Sequence, residues 1–336
     1  MKVDREQLIT QLESVEPGLS TRDIIEQSGC FVFKDGYVMT YNDEIFCRQE
    51  TELEIEGAVQ STSVLNLLRK MTEPEVDITV KDDEFFVKGK NKEAGITMQS
   101  EIMLPVDDVD VPKKWKDLPP EFGDAIERVK ELTAKDASQF VANCVHITKD
   151  HIESAEEIKF TRYLINTPIK ENTLVKRECI KHIPPLGVSK IAETKSWLHF
   201  QNANGLVVSC RKYEDEFFDL EAVLKKKGTS TTLPKALIQA CEKAEVFSAE
   251  DGSANEVTVE LRTGKLQITG RGATGWFKQR AKCEYSGPDI TFNISPKLLT
   301  EIVDQYNECQ VCEGLLRIES GNYLFFTVLQ DANSDA

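Results

Sequence analysis

Five groups of residues in this chain have types and spacings that chemistry uses. Cys309-Gln310-Val311-Cys312 is a C-x-x-C pair. Structural zinc needs four ligands, and no second pair or H-x3-5-H lies near it. A redox C-x-x-C opens a helix, whose N-terminal dipole lowers a thiol pKa; this pair follows a predicted helix instead. Gly270-Arg271-Gly272-Ala273-Thr274-Gly275 matches G-x-G-x-x-G. A dinucleotide site would need a helix to begin there, but Trp276 to Tyr285 reads as strand, so the glycines are read as a turn. His146 and His151 flank a turn and could pair, yet no Ser or Cys nucleophile motif accompanies them. Asp82-Asp83 and Glu156-Glu157 read as solvated surface. Asn293-Ile294-Ser295 fits a glycosylation acceptor, without consequence in a cytosolic protein. No catalytic residue, metal or cofactor is therefore expected. The competing reading is a cytosolic enzyme of unknown chemistry centred on Cys309/Cys312 or on His146/His151.

The elements that would position such residues matter more, because they repeat. Val64, Leu67, Leu68 and Met71 fall at i, i+3, i+4, i+7, and Leu299, Ile302, Val303 and Tyr306 repeat that spacing. Each set marks the apolar face of a short helix. Each is preceded by a strand-like run and a Ser, at Ala58 to Ser61 and at Asp289 to Ser295. A repeat this long points to duplicated domains joined edge to edge, an arrangement that serves as scaffold or ring more often than as catalyst.

Three units follow, at 1–106, 119–220 and 229–330, with a flexible tail at 331–336. In the first, a helix at Arg5 to Val15 precedes strands at Cys30 to Phe33, Tyr37 to Tyr41 and Ile45 to Ile55, with a turn at Asp35-Gly36. A helix at Thr62 to Met71 and three more strands complete it. The second opens with a helix at Glu121 to Leu132. A shorter one at Lys176 to Ile183 must end before Pro184-Pro185. The third begins with Leu233, Ala236, Leu237, Ala240 and Ala244 on one helical face. Ser295-Pro296 starts its second helix, with an N-cap side chain and Pro at the first position. Gln330 to Ala336 reads as a frayed end. The fold class is α+β: in each unit two helices share one face of an antiparallel sheet layer, since each has one apolar stripe to bury.

The 336 residues carry a net charge of −16, which by itself argues against nucleic acid. Screening cuts off interactions between exposed charges beyond about 8 Å at physiological salt, so an acidic exterior can coexist with one basic surface. The nine cysteines are scattered, which suits buried thiols in a reducing compartment. With no membrane-length apolar run and no signal-peptide layout, a cytoplasmic protein without membrane association is expected.

Tyr285-Ser286-Gly287, then Ile290-Thr291-Phe292-Asn293, then a helix with Leu298, Leu299 and Val303 resembles the last domain of the bacterial DNA polymerase III β sliding clamp. Arg162-Tyr163 with Thr167-Pro168-Ile169, Phe217-Phe218-Asp219-Leu220, the Met1-Lys2 start and Leu67-Leu68-Arg69 are similar to that family in the same order. Order and triplication carry the likeness across nearly the whole chain. It departs from the family at its end, where Phe326-Thr327-Val328-Leu329-Gln330 replaces Met-Pro-Met-Arg-Leu, at Pro184-Pro185, and at Phe160-Thr161, which replaces Gly-His. The resemblance is to a divergent clamp, of bacterial or phage origin.

That resemblance implies a head-to-tail homodimer, a ring of six domains with helices lining the hole. It would encircle double-stranded DNA without sequence preference, tether a DNA polymerase and be opened by an ATP-dependent clamp loader. Arg22 and Arg69 match family positions that line the hole; Arg128, Lys130, Lys70, Lys235 and Lys297 are assigned there by helix position. A partner-peptide pocket is implied at Arg162, Tyr163, Leu224, Phe326 and Val328. The dimer seam is implied at Ile96 and Met98, on the last strand of the first unit, and at Val246 and Phe247, after the first helix of the third. A clamp-fold scaffold that no longer loads on DNA is a further alternative.

Overall fold

A computed structural model describes residues 1–20, 25–134, 139–248 and 256–331. Arg22 and residues 332–336 of the expected tail lie outside the described residues.

The strands of the first third are β1 (Lys2–Asp4), β2 (Cys30–Lys34), β3 (Tyr37–Tyr41), β4 (Ile45–Glu50), β5 (Gly57–Gln60), β6 (Glu75–Lys81), β7 (Glu84–Lys88) and β8 (Glu93–Gln99). Next come β9 (Lys116–Asp117), β10 (Cys144–Ile147), β11 (His151–Glu156), β12 (Lys159–Leu164), β13 (Thr173–Lys176), β14 (Val188–Glu193), β15 (Trp197–Asn202) and β16 (Val207–Arg211). The last third holds β17 (Thr229–Thr232), β18 (Val257–Arg262), β19 (Lys265–Gly272), β20 (Gly275–Lys282), β21 (Ile290–Ile294), β22 (Glu308–Cys312), β23 (Leu315–Ser320), β24 (Tyr323–Val328) and β25 (Gln330–Asp331). The α-helices are α1 (Arg5–Ser14), α2 (Ser61–Lys70), α3 (Phe122–Lys130), α4 (Arg177–Ile180), α5 (Glu221–Leu224), α6 (Ala236–Ser248) and α7 (Pro296–Gln305).

Local sequence explains the helix starts. The Asp4 carboxylate accepts from the Gln7 amide at 2.8 Å and begins α1. Ser295 accepts from the Leu298 amide, with Pro296 at the first helical position of α7, satisfying donors that would otherwise be orphaned. Val64, Leu65 and Leu68 bury one face of α2. Asp35 and Gly36 both take positive φ in the β2–β3 hairpin, as a tight hairpin turn requires.

The chain forms two compact units. The first comprises 1–152 and 165–217. Its twelve-stranded sheet runs β1-β6-β7-β8-β5-β2-β3-β4-β16-β15-β14-β9. The step from β4 to β16 joins two sequence repeats, with Cys47 opposite Val208 and Ile45 opposite Cys210. Phe31, Phe33, Phe46, Phe85, Phe122 and Phe200 are fully buried in this unit. The second unit comprises 153–164 and 218–336. One set of strands there runs β12-β24-β23-β22-β17, and another runs β20-β19-β18-β21-β25. β12 and β24, from different repeats, pair Phe160 with Phe326.

Several elements differ from expectation. The Lys176 to Ile183 helix shrinks to α4 and is followed by a 3-10 turn at Pro184–Leu186. The α3 helix ends at Lys130, two residues before Leu132. The α6 helix runs through Val246 and Phe247 to Ser248 instead of ending before them. Gln330 begins a short strand, opposite Asn293 of β21, where a frayed end was expected. Gly270 and Gly272 belong to β19, not to the turn. A β-carbon on Gly270 would stand 2.1 Å from the Ala244 carbonyl oxygen, and one on Gly272 would stand 1.9 Å from that of Phe247. These glycines let the α6 backbone lie directly on the strand.

Gly270→Ala should therefore lower stability by about 1–3 kcal/mol, read as a lower urea midpoint; an unchanged midpoint contradicts the close packing. A second test uses His199, whose ring meets Ser209 Oγ at 2.8 Å and Thr194 Oγ1 at 3.1 Å. Burial pushes it down to about 4, assisted by Arg48 and Lys212. The unfolded chain protonates this group near its ordinary pKa of about 6.5. Falling pH then favours unfolding across the window from about 6.5 to 4, by about 3 kcal/mol for this group. His199→Gln should lose less stability than the parent over that window.

Candidate nucleic-acid interface and partner pocket

Lys235 lies in the turn before α6, outside any helix, whereas the other described cations expected to line a hole sit on the polar faces of α2, α3 and α7. Each lies opposite an apolar stripe: Val64, Leu65 and Leu68 in α2; Phe122, Ala125, Ile126 and Val129 in α3; Leu298, Leu299, Ile302 and Val303 in α7. Lys70, Arg128, Lys235 and Lys297 are exposed. Lys70, Lys235 and Lys297 have no carboxylate within 4 Å among the described residues. Arg69 is different, since it pairs with Glu13 at 2.7 Å and Glu16 at 3.7 Å. Lys130 is mostly covered and pairs with Glu127 at 2.9 Å and Glu131 at 3.5 Å. Glu127 is exposed on α3, and Glu301 and Asp304 on α7, while Glu242 is exposed on α6. The clustering of bases on helices expected from sequence is therefore partial, because acids interleave with them.

The implied pocket residues all fall in the second unit. Side chains alternate along strands, so directly opposed residues share a face. Arg162 lies opposite Leu324, Phe160 opposite Phe326, and Phe326 opposite Arg317. Val328, opposite Leu315, continues that face and is 39% exposed. Leu224 of α5 is half-buried, and its carbonyl accepts from Arg317 at 3.4 Å. The structure thus gathers Arg162, Leu224, Phe326 and Val328. It does not gather Tyr163, which lies opposite Tyr323 on the other face.

Phe326 also has a different role from the expected one. It is 0% exposed, stacks on Phe160 with centroids 4.6 Å apart, and lies under the Arg317 guanidinium at 5.4 Å. It forms the floor of the face and offers no contact to a partner. Arg162 is held by Glu153 at 2.7 Å and Glu221 at 2.9 Å. The Glu153 side chain is 3% exposed, so Arg162 neutralises a buried charge. Arg317 and Ile158, 38% exposed and bonded through its carbonyl to the Val328 amide, escaped the sequence reading. The period-2 pattern of β23 was the signal for Arg317.

Of the implied seam residues, Met98 is 3% exposed and paired with Val59, so its side chain packs within this chain. Ile96 is half-buried opposite Phe85. Val246 is 63% exposed, and Phe247 is half-buried against the β19–β20 turn. Along β8, pairing to β5 covers only Met98 and Gln99. Glu93 to Thr97 have no second strand partner among the described residues.

The C-x-x-C motif is structural. Cys309 and Cys312 are buried on β22, three residues apart and so on opposite faces of the strand. Burial pushes the Cys309 thiol up to about 12 and raises Cys312 as well. Protonated and divergent, they cannot act as a pair. His146 stacks on Phe217 at 4.8 Å and meets the His151 ring edge-on at 6.2 Å.

Among solved structures, the chain is similar to a protein described as a DNA polymerase III β subunit from Eubacterium rectale, with a TM-score of 0.84 and 14% identity over 99% of both chains. A DNA polymerase III β subunit from Pseudomonas aeruginosa gives 0.82 and 13%, covering 98% of this chain and 99% of that one. A DNA polymerase sliding clamp from Bacillus subtilis gives 0.82 and 12% over 98% of both. The fold is that of the DNA polymerase III β subunit. No protein-family profile and no curated protein matches the sequence. The β-subunit fold thus persists here while nearly seven in eight residues differ.

Arg162→Ala should destabilise by about 3–5 kcal/mol by removing the guanidinium that pairs with the buried Glu153 carboxylate. Adding Glu153→Gln should recover part of the loss in urea unfolding. Equal loss in single and double variants would show that the pair is not coupled.

Proposed function

We propose that this chain is a sliding clamp, a non-catalytic processivity factor that encircles double-stranded DNA and tethers a DNA polymerase. One observation carries the reading: the β-subunit fold spans 98–99% of this chain and of proteins named DNA polymerase III β subunit or sliding clamp. In this reading three domains, 1–106, 119–220 and 229–330, make half of a ring, and a head-to-tail homodimer completes it. Lys70, Arg128, Lys235 and Lys297 face the duplex through its phosphates, which carry no sequence information. Arg22 is proposed alongside them. Arg69 and Lys130 contribute less, being neutralised within the chain.

Closure joins the open edge of β8 at Glu93 to Thr97 with the edge strand β20, Val246 and Phe247 lying beside the seam. Pairing two edges across chains removes an aggregation hazard from both. The face of Val328, Ile158 and Leu224 beside Arg162 receives a short peptide from polymerase or from an ATP-dependent loader. No helix among the described residues is long and apolar enough to cross a membrane, and a clamp works in the cytoplasm beside the replicating chromosome. The divergent cysteines give the competing enzyme reading no thiol pair, which leaves it His146 and His151 alone.

The test is retention on nicked circular plasmid after loading. Bound protein should survive high salt on the circle and be lost when a restriction cut opens it. Retention after the cut would exclude enclosure. The Lys70→Glu, Lys235→Glu, Lys297→Glu variant should fail to stimulate the cognate polymerase; unchanged stimulation would favour a scaffold.

A further inference from the structure

Among the described residues, a dense concentration of positive charge lies on a sheet, apart from the helices. In β18, β19 and β20, Leu261, Leu266 and Ile268 are buried toward α6. The opposite face presents Arg262, Lys265, Arg271, Lys278, Arg280 and Lys282, with Glu260 as the one carboxylate on these three strands' outer positions. Glu260 and Asp289 engage Arg262 at 3.3 and 3.9 Å. Arg280 donates to Gln267 at 2.9 Å. Among the described residues, Lys265, Arg271, Lys278, Arg280 and Lys282 have no carboxylate within 4 Å. They stand in a chain of net charge −16.

Their register is costly. Lys265 is directly opposite Arg262 on one side and Lys282 on the other. Three cations therefore stand in a row across three strands, and like charges directly opposed destabilise a sheet. Protection of an edge strand explains charge on β20. It does not explain Arg262 and Lys265 on β18 and β19, which are paired strands. Nor does it explain Trp276, opposite Arg271 and 61% exposed. Trp276, Lys278, Arg280 and Lys282 alternate along β20 at intervals of about 7 Å, over about 20 Å in all. Arg262, Lys265, Lys278, Arg280 and Lys282 wall an open cleft of about 720 Å³.

We propose that this outer face of β18–β20 binds single-stranded nucleic acid, with the cation rows on successive phosphates and Trp276 stacked on an unpaired base. Single strands combine a regularly charged backbone with accessible base faces, and basic grooves with aromatic platforms recognise them without reading sequence. A duplex keeps its base faces stacked inside and would leave Trp276 without a partner. The surface lies on the side of the sheet away from α6, separate from the helix cations of the proposed lining.

The test is fluorescence anisotropy of the whole protein with fluorescein-labelled oligo(dT). Affinity should fall with salt at a log–log slope of about −3, from about 0.7 per phosphate neutralised on a single strand. Binding should quench tryptophan emission. Trp276→Ala should bind about tenfold more weakly and lose most of that quenching, with its melting temperature unchanged. Lys278→Glu, Arg280→Glu, Lys282→Glu should weaken binding further. The Lys70→Glu, Lys235→Glu, Lys297→Glu variant should bind oligo(dT) like the parent, whereas Trp276→Ala should still be retained on circular plasmid, so the two readings fail separately. Equal binding by Trp276→Ala and the parent, absence of parent binding, tighter binding to duplex, or competition by polyglutamate as good as by unlabelled oligo(dT) would each overturn the proposal.

Discussion

A strand at the edge of a sheet carries unpaired amides and carbonyls, and this protein is organised around where those edges go. In the first unit the β4 edge of one repeat is closed by β16 of the next, through Ile45 to Arg48 opposite Val207 to Cys210. Side chains lock the junction. Glu44 accepts from both Lys176 Nζ and the Tyr213 hydroxyl. Arg211 donates to Asp43 and lies over the Trp197 ring at 4.6 Å. In the second unit β12 and β24 perform the same closure, with Phe160 stacked on Phe326 and Arg162 held between Glu153 and Glu221. Backbone pairing supplies the join, and buried aromatic and ionic groups fix its register.

This constraint separates what was legible in the sequence from what was not. Helices were readable because Val64, Leu68, Leu299, Ile302 and Val303 repeat at helical spacing and a Ser precedes each set. The Ser295-Pro296 start was readable because its cap is local. Phe326 was not readable as core: its burial comes from Phe160 and Arg317, which are distant or on another strand. Tyr163 was misplaced for the same reason, since the face it occupies depends on register with Tyr323. Gly270 and Gly272 suggested a loop because their cause, the α6 backbone resting on β19, is a tertiary contact. Arg69 is paired through a tertiary contact, since Glu13 and Glu16 reach it from α1 and the turn after it, while Lys130 is covered by its own neighbours Glu127 and Glu131.

The chemistry is consistent with a protein that acts by shape. Its cysteines are buried, and burial raises the thiol pKa at Cys47, Cys144 and Cys309 to about 12. His199, the most buried histidine, is pushed the other way and stays neutral. Among the described residues, the one ion pair placed in the second unit's interior is Arg162 with Glu153, beside the exposed Val328. Among the described residues, positive charge without a carboxylate partner is found on surfaces instead, at Lys70 and Lys297 on helix faces, at Lys235 in the turn before α6 and across β18–β20 on a sheet face.

Among the edges left open in the described residues, those of β8 and β20 are the two through which the proposed assembly closes. Amide hydrogen exchange across a dilution series reads them directly, at Glu93 to Thr97 of β8 and at the β20 amides that point away from β19. The account predicts slow exchange at both segments at high protein concentration, turning fast together as dilution halves the mass measured by light scattering from two chains of 37.9 kDa to one. Exchange that is fast at every concentration, or equally slow in a monomer, would contradict it.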